Sequence, residues 1–283
     1  AHKLMVNGDV ACTPEYLTDH LGKEAASFIA GRSEDRPFFL YLAYNAVHSL
    51  LHATEEDLAM LSHIDDKKRR VLGAMTIALD RSVGHVLDAL ANHGLEKETL
   101  VFFTNDNGAA TYIVTNNGGF RGRKGTVWEG GLRVPFAMRW PGSIDPGTRS
   151  NIPVNTLDAG YTFCRLAGYR DEALRDLHLD GGNLLALARG EQAARPLYWR
   201  RGNTAAIRKG DWKLITTNKE PAFLFDLKTD PTESSNLLTR KPGRAKSLFA
   251  ALQSWDKCLP EPLWRRKASE SYDDFLLRYW PES

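Results

Sequence analysis

Apolar residues fall into two periods along the chain, and the switch between them divides it. Leu17, Leu21, Ala25, Phe28 and Ile29 recur at helical spacing and predict an amphipathic helix from about Tyr16 to Ala30, with Gly31 as its stop. The run from Pro37 to Leu42 reads as a buried strand, which the chain leaves through Asn45, Ala46, Val47 and His48. From Lys67 to Asn92 the positions Val71, Leu72, Met75, Leu79, Val83, Val86, Leu87 and Leu90 form a long helical stripe ending at His93 and Gly94. Leu100 to Thr104 is a second strand, Arg133 to Trp140 a third, and Leu157 to Ala167 a helix capped by Gly168. Strand, helix, strand in that order implies a right-handed crossover and a mostly parallel sheet.

Beyond about Pro196 the runs become short and alternating: Leu197 to Arg200, Ala205 to Arg208, Trp212 to Thr216 and Phe223 to Leu227. Turn signals such as Lys209-Gly210-Asp211 separate them, which predicts a small antiparallel sheet, and Ala245 to Trp255 is an amphipathic helix suited to cover it. The expected fold class is α/β, with a mostly parallel or mixed central sheet flanked by helices and a small C-terminal antiparallel-sheet-plus-helix subdomain. The boundary is expected between Arg189 and Arg195, giving residues 1–192 and 193–283.

Composition narrows the partners. With 42% hydrophobic and 25% charged residues the chain has the make-up of a globular domain, and a net charge of +2 argues against nucleic acid. The dense basic run Lys67 to Arg70 opens a helix and reads as a solvated helix end. The longest apolar stretch, Pro37 to Val47, is too short to cross a bilayer, so no membrane partner is expected. Cys12, Cys164 and Cys258 lack metal-ligand spacing and are odd in number, so neither a zinc site nor a disulfide framework is indicated.

The candidate chemistry lies between Leu100 and Pro135. The strand to Thr104 ends in Asn105-Asp106-Asn107-Gly108, which places hard oxygen donors at its carboxyl end, where open α/β sheets carry their sites. Asp-Asn-Gly by itself is most often a turn. A loop rich in glycine and cations follows from Gly118 to Gly131, and its Arg121, Arg123 and Lys124 suit an oxyanion held by the same strand end. A lone histidine after a strand is more often structural than catalytic, and His48, His52 and His63 take that reading on their own.

FFTNDNG followed by GGFRGRKGTVWEGGLRVPFAMRWPG closely resembles the sulfatase family of the alkaline phosphatase superfamily, arylsulfatases and glycosaminoglycan sulfatases included. PFFLYLAYNAVHSLLHA, EYLTDHLGKEAASFI, NTLDAGYTFCRLAGY and AAIRKGDWKLI with LFDLKTDPTESSNLL extend the resemblance, in family order, from about Glu15 to Trp255. It implies that Asp106 and Asn107 ligate one calcium ion, with magnesium as the alternative, and that Lys124 contacts sulfate oxygens. It further implies that His48 stands near the leaving-group oxygen as a hydrogen-bond donor or general acid. Glu129 and Arg133 are expected to shape the loop rather than touch substrate. Trp199, Arg200 and Arg201 are candidate contacts to an acidic sugar, the expected substrate being a sulfated small molecule or carbohydrate. Leu50 stands where the family often has proline, which leaves the path of the His48 loop open.

The family's nucleophile, a formylglycine made from the cysteine of a Cys-x-Pro-x-Arg motif, has no counterpart here. Cys12-Thr13-Pro14-Glu15-Tyr16 has tyrosine where the motif needs arginine, and Cys12 is expected in a connecting loop. The paired aspartates that complete the family's metal site are absent as well. The chain is therefore expected to be the C-terminal two-thirds of a sulfatase, inactive by itself and needing an N-terminal segment of the same protein, with a periplasmic or extracellular location implied by the family. Two other readings stand beside this one: a phosphodiesterase or phosphonate hydrolase of the same superfamily, and a noncatalytic sulfatase-like binding module.

Overall fold

The computed structural model describes residues 2–33, 36–110, 117–191 and 195–260. In chain order the elements are β1 (His2–Val6), β2 (Asp9–Thr13), α1 (Leu17–Ala30), α2 (Glu55–Met60), α3 (Lys67–Asn92), β3 (Val101–Thr104), α4 (Glu129–Leu132) and β4 (Phe136–Arg139). They continue with α5 (Leu157–Leu166), α6 (Asp171–Asp176), α7 (Leu184–Ala188), β5 (Leu197–Arg201), β6 (Thr204–Lys209), β7 (Trp212–Thr217), β8 (Glu220–Asp226) and α8 (Pro242–Lys257). Contacts divide these into two compact units. The first holds the described residues up to Thr104 together with Pro135–Gly147, and the second holds those from Asn105 to Val134 and from Thr148 onward. The expected boundary at 192/193 lies outside the described residues.

In the first unit α1 packs closely on α3. A Cβ on Gly22 would stand 2.1 Å from Ser82 Oγ, so only glycine permits the approach. Ser82 Oγ donates to Thr18 O at 2.7 Å, and Arg81 of α3 grips Asp19 of α1 through two bonds of 2.9 Å. The same guanidinium donates to buried Asp57 of α2 at 2.7 Å. That bond holds the Asp57 carboxyl below its ordinary value of 3.8. A depressed acid stabilises the fold above its ordinary value, and the contribution disappears as pH falls through the lower folded-state value. Asp57→Asn is therefore expected to destabilise the fold by about 1–3 kcal/mol near neutral pH. Urea midpoints of the two proteins, measured from neutrality down to acid, should converge as the pH falls below the ordinary aspartate value.

Three findings depart from the sequence reading. β1 and β2 form an antiparallel hairpin closed by Asn7 and Gly8, whose φ values of 53° and 96° match a two-residue hairpin turn, and exposed Cys12 lies on β2 rather than in a loop. Residues 37–42 form no strand among the described residues. Phe38 and Leu40 pack on the cluster of Ile29, Ala89, Leu90 and Leu95, while Phe39 and Tyr41 point outward at 67% and 81% exposure. One face of this segment is buried, where the apolar run had suggested two. The ladder between β3 and β4 is antiparallel, from Val101 opposite Arg139 to Thr104 opposite Phe136, and no parallel pair occurs among the described strands, which favours the mixed form of the expected sheet over the mostly parallel one.

The second unit contains the expected C-terminal sheet, with order β5-β6-β7-β8 and every pair antiparallel. Alternation decides what each face covers. Ala205, Ile207, Leu214 and Leu224 pack against Ala245, Leu248 and Leu252 of α8. Ala206, Ile215, Phe223 and Phe225 pack on the opposite face against Val127 and Trp128 of the cationic loop. The sheet is thus covered by a helix on one side and by the candidate chemistry on the other. No helix among the described residues is long and apolar enough to cross a membrane.

Candidate functional site

The second unit builds its site from two backbone segments tied to each other. After Thr104 the chain passes through Asn105, exposed Asp106 and half-buried Asn107 to Gly108. Gly108 N donates to Gly131 O at 3.1 Å, and Lys124 N donates to Ala109 O at 2.9 Å. Asn117 bridges the same segments, its amide oxygen accepting from Ala109 N at 2.8 Å and its amide nitrogen donating to Gly122 O at 3.0 Å. The Lys124 backbone is thereby held against Ala109, two residues along the chain from Asn107.

The three cations of the loop do different things. Arg121 donates from Nε to Glu233 O at 2.8 Å and lies over the Trp128 ring, and Arg123 donates to Ala110 O at 3.0 Å. Lys124 makes no side-chain hydrogen bond or ion pair with another described residue. An ammonium so left is available to an anion, whereas both guanidinium groups already hold backbone in place. Arg133, beyond the loop, stacks on the Phe120 ring at 4.6 Å and Glu129 is buried, as expected of residues that shape the loop.

Glu129 is the centre of a buried charge cluster that sequence reasoning missed. Its Oε1 stands 2.8 Å from Lys213 Nζ, its Oε2 3.4 Å from Arg208, and Lys213 Nζ is also 2.8 Å from Glu233 Oε1. Burial pushes the Glu129 carboxyl up, but Lys213 and Arg208 outweigh it and the group ends below its ordinary value. Burial pulls Lys213 down, but the two carboxylates leave it above its ordinary value. Glu233 goes the other way: burial and the nearby Glu129 charge raise its carboxyl. The available signal was a lysine two positions from Ile215 on a strand whose alternation points both toward the loop.

Of the candidate sugar contacts, Arg200 is committed elsewhere, to Asp256 at 2.8 Å and to Pro260 O at 2.9 Å. Trp199 packs against the cluster containing Val127 and Trp128. Arg201 reaches the cationic loop: a Cβ on Gly125, the neighbour of Lys124, would stand 1.8 Å from its guanidinium. His48 belongs to the first unit and is exposed, with its backbone N–H donating to Asn45 O at 2.8 Å. Its Nδ1 is 2.7 Å from Ser49 O. A carbonyl only accepts, so Nδ1 carries the proton and Nε2 donates only when the ring is an imidazolium.

Comparison with known proteins gives this arrangement its family. The sulfatase family matches residues 3–169, more than half of the 283. The chain belongs to the sulfatase family. A second match, to the C-terminal region of N-sulphoglucosamine sulphohydrolase, covers residues 119–254, the cationic loop and the β5–β8 sheet together. This sulfatase-family chain is 36% identical over 204 residues to N-acetylgalactosamine-6-sulfatase of Mus musculus, covering 70% of the chain and 38% of that protein. It is 31% identical over 277 residues to a sulfatase of Formosa agariphila, covering 87% of the chain and 50% of that protein. The crystal structure of Ps i-CgsB in complex with k-i-k-neocarrahexaose is similar at a TM-score of 0.85 and 33% identity, over 93% of the chain and 60% of that structure. The architecture is therefore alkaline phosphatase-like, and the chain spans about half the length of the curated relatives it matches. Among the described residues no group of three or more His, Cys, Asp or Glu side chains is placed to hold a metal ion. Asp106 and Asn107 fit a hard cation in kind, and two donors are fewer than the six to eight calcium takes.

Proposed function

We propose that this chain forms one wall of the active site of a sulfuric ester hydrolase. The observation that carries the reading is the pair of backbone bonds, Lys124 N to Ala109 O at 2.9 Å and Gly108 N to Gly131 O at 3.1 Å, which tie the loop of Lys124, whose side chain makes no hydrogen bond or ion pair with another described residue, to the segment bearing Asp106 and Asn107. Family membership supports the sulfate class, and the match to a structure bound to neocarrahexaose supports a carbohydrate substrate.

Asp106 and Asn107 would contribute a carboxylate and an amide oxygen to one calcium ion, magnesium being the alternative. When bound, that ion polarises sulfate oxygens. Lys124 offsets the negative charge of the sulfate oxygens while the nucleophile approaches sulfur and the electron pair of the S–O bond passes to the departing oxygen. His48, as an imidazolium with Nδ1 held on Ser49 O, donates from Nε2 to the departing alcohol oxygen. Arg201, against the Lys124 loop, and Trp199 face the sugar in this reading, while Arg200 is held by Asp256 of α8 on the other face of the sheet. The nucleophile is proposed to be a formylglycine, with the remaining ligands supplied outside these 283 residues, since no Cys-x-Pro-x-Arg occurs in them. A periplasmic or extracellular location follows from the same family reading.

Chelation tests this directly. The complete natural protein, treated with a calcium chelator, should lose turnover of an aryl sulfate and of a sulfated saccharide and regain both with calcium or magnesium. Turnover indifferent to the chelator would count against the donor pair, and inertness toward every sulfate ester would sink the reading.

A further inference from the structure

The buried cluster does more than fill space under the loop. Glu233 touches the cationic loop at both ends: its backbone carbonyl accepts from Arg121 Nε at 2.8 Å, and its carboxylate accepts from Glu129 N at 2.7 Å. Lys213, wholly buried on β7, stands between the carboxylates of Glu129 and Glu233, 2.8 Å from each. Between those anchor points runs the stretch that carries Lys124, with Gly130 N donating to Arg121 O at 2.6 Å to close it. The close glycine packing leaves little room for adjustment. A Cβ on Gly130 would lie 2.5 Å from Arg121 O, and one on Gly131 would lie 2.4 Å from Thr126 O.

We infer that Lys213 and Glu233 are positioning residues, forming a buried electrostatic clamp that sets where the Lys124 ammonium stands relative to the Asp106-Asn107 segment. The inference deepens the sulfatase reading and rests on it for the link to chemistry, while the clamp itself rests on the distances alone. A lysine deep under a sheet face is expensive to bury without partners, and here it neutralises carboxylates from two segments far apart in sequence. A hydrophobic residue in its place could fill the volume. It could not hold the two carboxylates together.

Two variants test this in the complete natural protein. Lys213→Met removes the charge and keeps most of the volume. Glu233→Gly removes the carboxylate and relieves the backbone, since Glu233 sits at a φ of 56° that glycine accepts, so it carries the same readings should the first variant not fold. Amide hydrogen exchange across residues 121–131 should rise about tenfold or more in either variant, while β5–β8 keep their protection. With a sulfate ester, kcat should fall about 10–100-fold with KM changing less, and Lys213→Arg should recover part of the loss. Lys124→Ala should then cost at least about tenfold less in the Lys213→Met background than in the wild type, because the two changes act on one interaction. Unchanged exchange in the loop would overturn the clamp. Losses that simply multiply would reduce Lys213 to a stabilising residue and overturn its positioning role. A wild type inert toward sulfate esters would count against the proposed function, and hydrogen exchange alone would then decide the clamp.

Discussion

Lys124→Ala in the complete natural protein is expected to lower kcat on a sulfate ester by about 10²–10³-fold while the protein stays folded. The ammonium makes no hydrogen bond or ion pair with another described residue, so its loss removes no bond among them, and the backbone N–H that anchors the loop to Ala109 O is untouched. The effect should fall on kcat more than on KM, because the ammonium offsets the sulfate's negative charge against the approaching nucleophile while the electron pair of the breaking S–O bond passes to the departing oxygen. Lys124→Arg should rescue only in part: a planar guanidinium is bulkier than a compact ammonium and meets a tetrahedral sulfate differently. Steady-state kinetics with thermal melts alongside check this. A full loss of melting cooperativity would instead mark Lys124 as structural.

Gly108→Ala should have the second largest effect, on stability and activity at once. A Cβ there would lie 1.9 Å from Gly130 O and 2.9 Å from Gly130 C, a backbone that cannot swing aside as a long side chain would. Accommodation must pull the Asp106-Asn107 segment away from the loop and break the 3.1 Å bond from Gly108 N to Gly131 O. The expected destabilisation is about 1–3 kcal/mol, with the urea midpoint as readout. Activity should fall further than stability, because the donor pair and Lys124 are displaced from each other. Gly119→Ala is the control for local glycine chemistry, since nothing lies within 4 Å of its added Cβ, although its φ of 85° makes it a strained control.

How far the sequence carried depends on where each interaction's partners lie. α3 was legible from Lys67 to Asn92 because its apolar stripe is long and its ends are local: Asp66 caps it at 2.9 Å through Arg69 N, and Gly94 follows it. β5 to β8 were legible because alternation and turn residues are local too. The β1–β2 hairpin is not marked in the sequence although Asn7-Gly8 is a strong turn signal, because its strands are short and mostly exposed and carry no clear apolar alternation. Residues 37–42 were misread because an unbroken apolar run does not say whether a strand partner exists.

The site divides along the same line. Asp106, Asn107 and Lys124 can be proposed from motif and family resemblance, since each belongs to one short segment. Lys213 and Glu233 were not, because Lys213 meets Glu129 across 84 positions and Glu233 meets it across 104. A buried ion pair leaves no periodic trace; it shows only as a charged residue where alternation wants an apolar one. Arg121 and Arg123 were grouped with Lys124 as anion contacts, and only their bonds to Glu233 O and Ala110 O separate them from it.

The central claim is that this wall serves sulfate esters. The most direct measurement gives the complete natural protein an aryl sulfate and an aryl phosphodiester of equal leaving group, side by side with the Lys124→Ala variant. The account predicts faster hydrolysis of the sulfate ester, lost in the variant. Turnover of the phosphodiester alone would contradict it and assign the same wall to phosphoryl chemistry.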